Sequence, residues 1–211
     1  MKNLETPAVK LAIYGAQGAL GSALLVEALH RQYEVTAVLS DLNSVTARPG
    51  IRAKTGNLFD SLSVSQSVVG KDAVVCVLSS TRLPAGPVDS ADRAFHKVFS
   101  AVSALIDGMS IAGVKRLMVI DRLLWLEQSP DSPAPAAEYL QQRLLHSELQ
   151  WTLVESPAEA AELLDFDDFV HSPQDHKAEA VAALRRFAAG ALDELMLKLH
   201  LRQRLRIGDS L

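Results

Sequence analysis

Apolar positions along the chain follow two alternating rhythms. Short, nearly unbroken apolar runs occur at Leu11–Tyr14, Val35–Leu39, Asp72–Leu78 and Lys115–Ile120. Each is too short for an ordinary helix, and such runs predict strands buried on both faces, as in a parallel sheet. Ile51–Thr55 and Gln150–Val154 add a third and a sixth strand. Between these runs the apolar spacing widens toward the helical period. It predicts helices over about Ser22–His30, Leu62–Val69, Ala91–Ala112 and Glu138–His146, and one over Ala178–His200 broken or bent near Gly190. In the longest, Phe95, Val98, Phe99, Val102, Leu105, Ile106 and Met109 fall on one stripe. Gly70 and Gly113 follow helices where a C-terminal stop is expected. Asp41–Gly50, the Pro/Gly stretch to Pro87 and Asp121–Pro135 read as loops. Strands alternating with helices give a parallel sheet, and right-handed crossovers make it a doubly wound, three-layer α/β fold.

The stretch that organises this pattern is Gly15-Ala16-Gln17-Gly18-Ala19-Leu20-Gly21, set between the first strand and the first helix. Strand, glycine turn, helix and strand together form a dinucleotide-binding unit. Gly15 permits a sharp turn at positive φ, Gly18 permits close approach of a pyrophosphate, and Gly21 lets the helix pack on the strand. The helix N-terminus then presents free N–H groups to the phosphates. A tight turn that binds nothing is the alternative.

Composition changes this picture little. At 211 residues the chain is long enough for one substantial core, read as a single domain over 1–211 with a variable part from 155. Its net charge of −4 is spread over both signs, with no basic stripe for nucleic acid. The single cysteine, Cys76, lies in an apolar run and reads as a small buried hydrophobe. The first residues lack the apolar core of a signal peptide, and no apolar run is long enough to span a bilayer. The expectation is a cytoplasmic protein, monomer or homodimer, without a membrane or nucleic-acid partner. The histidines show no metal spacing, and Asp165-Phe166-Asp167-Asp168 reads as a solvated acidic turn.

The pieces IYGAQGALG, EVTAVLSD, GNLFD, GKDAVVCVLSSTR, AGVKRLMVI and SELQWTLV, in this order and spacing, resemble the atypical short-chain dehydrogenase/reductases with an NAD(P)H-binding domain. That group includes biliverdin reductase B, bacterial NADH-flavin-reductase-like proteins and NmrA-type sensors. The closing HLRQRLRIG is similar to the end of the flavin-reductase-like branch. The resemblance implies a Rossmann-type sheet with a short, reduced C-terminal substrate side. It implies NADP or NAD as cofactor, and a small aromatic or flavin-like substrate. The cofactor residues it implies are Gly15, Gln17, Gly18, Ala19, Leu20 and Gly21 in the turn, then Ser40, Asp41, Asn57, Leu58, Leu78, Ser79, Ser80, Thr81 and Asp121 at strand ends.

Several residues depart from the family pattern. Relatives commonly carry Arg where this chain has Ser40, a partner for the NADP 2′-phosphate, so NAD and NADP both remain open. Asp41 can accept from ribose hydroxyls or cap the next turn, and Arg48 can meet a phosphate or simply be solvated. Asn57 can accept from the adenine amino group or hold an ordinary turn. Gly/Ser-rich residues after the fifth strand are replaced by Asp121-Arg122, and Arg-Pro after the sixth by Glu155-Ser156. No Tyr-x-x-x-Lys pair is present. Tyr139-Leu140-Gln141-Gln142-Arg143 only approximates it, and reads as structural because a planar guanidinium is not equivalent to an ammonium. Two functions survive: an NAD(P)H-dependent reductase of a flavin- or quinone-like acceptor, and a non-catalytic NAD(P)-binding sensor.

Overall fold

The computed structural model describes residues 8–41, 50–79, 91–126, 134–157, 164–171 and 175–207. In chain order its elements are β1 (Lys10–Tyr14), α1 (Ala19–His30), β2 (Glu34–Leu39), β3 (Ile51–Thr55), α2 (Ser61–Val68), β4 (Ala73–Val77) and α3 (Ala91–Ala112). These are followed by β5 (Arg116–Asp121), a 3₁₀ turn (Leu124–Leu126), α4 (Ala134–His146), β6 (Gln150–Glu155), α5 (Phe166–Val170), α6 (Asp175–Leu197) and β7 (Gln203–Leu205). The seven strands form one sheet in the order β3-β2-β1-β4-β5-β6-β7, with every neighbouring pair parallel.

The chain runs outward from β1 through β2 to β3, then crosses back over β1 to start β4 on its other side. That reversal opens a crevice at the carboxyl ends of β1 and β4, where doubly wound sheets bind ligands. Alternation of side chains along each strand divides the interior into two layers. Leu11, Ile13, Val75, Met118 and Ile120 pack on one face beneath α1, α5 and α6, where Leu24, Phe169 and Leu192 meet them. Ala12, Tyr14, Cys76, Leu117 and Val119 pack on the other beneath α2, α3 and α4, against Val64, Leu105 and Leu140. β4 is therefore apolar throughout and β1 and β5 are apolar between their ends, as expected for central parallel strands.

The structure differs from the sequence reading at four places. α1 begins at Ala19, three residues before the expected Ser22, because Gly18 is the N-cap and Ala19–Leu20 already pack inward. α6 runs unbroken through Gly190. A Cβ there would come within 3.1 Å of Ile207 Cγ2, so the glycine admits the returning chain and does not end the helix. A seventh strand, β7, then pairs with β6 beyond α6. The acidic segment is also ordered: Asp165 caps α5 in a reciprocal capping box with Asp168, and Asp168 pairs with Lys177 at 2.8 Å.

Far from the crevice, the start of β5 is tied to the end of α6 by a buried charge. The Arg116 guanidinium donates to the Glu194 and Leu195 carbonyls at 3.1 and 3.0 Å, satisfying helix-end acceptors. It also donates to Gln150 O and Thr152 Oγ1, both at 2.8 Å, and lies 3.6 Å from the Glu194 carboxylate. Glu194 in turn accepts from the His200 backbone N–H at 2.9 Å and contacts its ring at 2.7 Å. This network fixes the geometry from which β7 departs.

Candidate functional site

β1 ends at Tyr14, and the chain turns at Gly15 with φ +74°, a conformation that side chains disfavour. Space is equally decisive, since a Cβ on Gly15 would lie 2.4 Å from the Val77 carbonyl oxygen. At Gly21 a Cβ would fall 2.1 Å from the Gly15 carbonyl, so α1 can rest against the turn only through glycine. Gly18 is the N-cap of α1 in extended conformation, with φ −77° and ψ 168°. It brings no side-chain cap, and the first turn carries no acidic residue. Ala19 and Leu20 bury their side chains in the core, so only their backbone faces outward. A helix start built this way leaves its N–H groups and positive dipole end to an outside anion.

Beside the turn, a cleft of about 460 Å³ opens between the ends of β1, β2 and β3 and the start of α2. The walls include Gln17, Leu39, Ser40, Asn57, Phe59 and Gln66, and Tyr14, Val38 and Leu58 are also in the lining. Among the described residues, none that lines it is charged. The turn Gly56–Asp60 is held from within: the Asn57 side-chain oxygen accepts from the Phe59 N–H at 3.0 Å, and the Asn57 N–H donates to Ser63 Oγ at 2.8 Å. One lone pair of the Asn57 oxygen thus remains for a ligand. Asp60 caps α2 through Leu62 and Ser63. Tyr14 is wholly buried. Burial raises its phenol pKa, and its hydroxyl lacks a hydrogen bond of normal geometry.

The model of the NAD(P)H-binding family matches residues 15–162, which span the glycine turn, the cleft and the strand ends through β6. The chain belongs to this family. Its cofactor is NAD or NADP. The glycine cradle, which side chains would fill, and the uncapped helix start fit such a molecule. Solved structures share the fold at low identity. The Bordetella bronchiseptica enzyme WbmH in complex with NAD+ is 14% identical, with a TM-score of 0.64 over 96% of this chain and 76% of that one. The oxidoreductase ylbE of Lactococcus lactis is 16% identical, with a TM-score of 0.61 over 94% and 90%. A wide-type short-chain dehydrogenase/reductase of Veillonella parvula in complex with NADP is 13% identical, with a TM-score of 0.58 over 97% and 96%.

In this NAD(P)H-binding chain the sequence-selected residues divide into three groups. Gly15, Gln17, Ser40, Asn57 and Leu58 line the cleft. Gly18, Ala19, Leu20 and Gly21 form the helix start beside it. Leu78, Ser79 and Asp121 lie on the other side of β1, where the Leu78 N–H donates to the Ile120 carbonyl at 2.9 Å and brings the β4 and β5 ends together. Asp41 follows β2 but is outside the cleft lining. Ser80, Thr81 and Arg48 lie outside the described residues.

At the β4–β5 end the chemistry changes from neutral to ionisable. Asp121 continues the alternation of Leu117 and Val119, which directs it to the α3 face with Cys76. Its Oδ2 accepts from the Leu123 N–H at 3.1 Å, and Leu123 is held at φ +58°. That turn returns Trp125 to the same face, fully buried. Burial pushes the Asp121 carboxyl above the usual aspartate range, while the Leu123 and Arg122 N–H groups, Trp125 and Lys97 pull it back. Lys97, on α3, is half-buried; desolvation lowers its pKa, and Cys76 and Asp121 oppose that. Cys76 itself is fully buried with a raised pKa, an inert thiol.

Tyr139 and Arg143 are engaged elsewhere. The Tyr139 ring is 57% exposed and stacks on Phe99 with centroids 6.1 Å apart, and Arg143 pairs with Asp107 at 2.5 Å. Lys97 escaped the sequence reading because a lone lysine beside an apolar helical stripe looks like any solvated one. Tyr14 and Val38 were findable, since strand alternation places both on one face beside the glycine turn.

Proposed function

We propose that this protein is an NAD(P)H-dependent reductase that passes a hydride to a flavin- or quinone-like acceptor. In this reading the pyrophosphate meets the N–H groups at Gly18–Leu20, and the adenosine half occupies the neutral cleft between Ser40, Asn57 and Leu58. The other half of a dinucleotide then extends across β1 toward Ser79 and Asp121. Bound there, the reduced nicotinamide supplies the hydride. The observation that carries the proposal is that the β4 and β5 ends, across β1 from the cleft, carry the polar residues Ser79 and Asp121, groups that can orient an acceptor. Tyr139 on α4 is exposed and stacked on Phe99, which favours an acceptor that needs positioning more than a Tyr–Lys pair.

The same feature supports a second reading, a non-catalytic NAD(P)-binding sensor. One experiment separates the two. Purified protein is titrated with NADH and NADPH, then assayed for their oxidation with FMN or menadione. Saturable binding with turnover is expected. Binding without turnover favours the sensor. Gly18→Asp places a side chain and a negative charge at the helix start, so it should abolish binding while circular dichroism stays unchanged. Unaltered affinity in that variant would overturn the assignment of the turn.

A further inference from the structure

A reductase of this kind must supply a proton as well as orient its acceptor. An acceptor that takes a hydride at one atom gains an electron pair on another, an oxygen or a ring nitrogen, which must then be protonated. Classical members of the wider family take that proton from a Tyr–Lys helix, but here the matching side chains stack on Phe99 and pair with Asp107. The polar groups that do reach the carboxyl end of β5 come from other elements.

We infer that Asp121 is the proton donor of the reaction and that Lys97 is a positioning residue whose charge tunes it. The inference rests on the reductase reading above. Asp121 lies at the last position of β5, one strand from Ser79, on the side of β1 opposite the neutral cleft. It is partly rather than wholly covered, so an acceptor can reach it. Its carboxyl is aimed by the Leu123 N–H, and Leu123 itself is buried with its backbone in the left-handed region. The buried Trp125 N–H makes no hydrogen bond of normal geometry, yet lies near enough to favour a carboxylate once the proton has left.

The ionisable surroundings of Asp121 among the described residues are few. From α3 comes Lys97, from β4 the inert Cys76, and from the following turn the backbone N–H groups of Arg122 and Leu123 with the Trp125 indole. Glu155, directly across on β6, is committed to Arg204 and Arg206. Lys97 is thus the described cation whose charge acts on Asp121. In the step, the hydride adds to the acceptor carbon or ring nitrogen, and the displaced electron pair takes the Asp121 proton. The acceptor is reduced by two electrons, and the dinucleotide is oxidised by two. The Asp121 carboxylate is then reprotonated from water, with the Lys97 charge setting the pH at which it reloads.

Two measurements on the full chain test this. First, the cofactor-free protein carrying ¹³C-carboxyl aspartate is titrated by NMR, with the Asp121 signal assigned by its loss in Asp121→Asn. It should titrate above the other aspartates, and higher still in Lys97→Met, because removing a cation favours the neutral acid. Second, menadione reduction is followed against pH with NADH or NADPH. The acid form donates, so kcat should be full below the Asp121 pKa and fall as pH rises through it. Asp121→Asn should lower kcat by about a hundredfold at saturating cofactor. Lys97→Met should move the falling limb to higher pH, and Lys97→Arg should move it back.

An Asp121 signal that titrates with ordinary aspartates overturns the inference. So does Asp121→Asn turnover within about threefold of the parent at every pH. Wild-type protein that binds cofactor but reduces neither menadione nor FMN overturns the reductase reading, and the donor role with it. Turnover that ignores Asp121 overturns the donor role alone. The wild-type and Lys97→Met titrations carry the test even for an Asp121→Asn chain that does not fold.

Discussion

Arg116→Met offers the sharpest test of what holds this fold together. The substitution keeps most of the side-chain volume and removes the guanidinium from a site only 3% exposed. Five acceptors lose the guanidinium: the Glu194 and Leu195 carbonyls at the end of α6, Leu117 O, Gln150 O and Thr152 Oγ1, although the Glu194 carbonyl keeps the Lys198 N–H. The Glu194 carboxylate, 5% exposed, loses its ion-pair partner and keeps only His200. Each hydrogen bond to a charged group contributes about 1.5–3 kcal/mol, but these are not additive where water or a repacked helix end can substitute. Orphaning a buried charge by removing its partner costs about 3–5 kcal/mol, and that is the expected loss. For a domain of this size it corresponds to a fall in Tm of roughly 6–20 °C. Thermal and urea unfolding measure it directly, and Glu194→Gln completes a double-mutant cycle. The double variant should recover at least about 1 kcal/mol, because the stranded charge is gone. A loss below about 1 kcal/mol for Arg116→Met, or strictly additive effects, would refute the reasoning.

The remaining expectations concern cofactor choice, chemistry and pH. Ser40 lines a cleft whose described lining residues carry no charge, so native protein should discriminate weakly between NADH and NADPH, and Ser40→Arg should favour NADPH through a charge-assisted phosphate contact. Comparative titration of the two cofactors checks this, and a strong native NADPH preference unchanged by Ser40→Arg would assign the phosphate to another residue. Tyr139→Phe keeps the stack on Phe99 and removes only the hydroxyl, so turnover should stay within about tenfold of the parent, below the loss of a true general acid. Lys177 holds the Asp168 carboxyl below the usual aspartate range. Stability from that contact is present above the unfolded aspartate pKa and lost as pH falls through the lowered folded one. Lys177→Met should flatten this acid limb of the stability profile, and an unchanged limb would show that Asp168 contributes nothing to it.

The central fold was legible because its cause is written locally. Strands β1 and β4 are continuous apolar runs, and Gly15 and Gly21 stand where any side chain would strike a carbonyl within 2.4 Å. Such requirements leave a signature in three to seven consecutive residues. What escaped depends on partners distant in sequence. β7 is Gln203-Arg204-Leu205, without alternation or length, and is a strand only because β6 offers it an edge. Gly190 looked like a helix break, yet its partner is Ile207, seventeen positions later. Arg116 opens a strand as an unremarkable basic residue, and nothing near it announces that α6 will close over it. The site divides the same way. The phosphate end is a motif, whereas Asp121 and Lys97 meet only once β5 and α3 are packed.

The shortness of β7 has a consequence for how the chain avoids association. Before β7 docks, β6 is the outermost strand, and its Trp151–Val154 are all buried in the finished fold. A folding chain at that stage presents an apolar edge able to template a second molecule. β7 covers it with three residues, two of them exposed, and Arg202 and Arg204 secure the closure by bonding back to Ser147 and Glu155. The edge left facing outward is then short and flanked by guanidinium groups, which a neighbouring strand cannot extend. Refolding yield should accordingly fall with protein concentration when Arg204 is replaced by an apolar residue, even where the folded state is as stable as before.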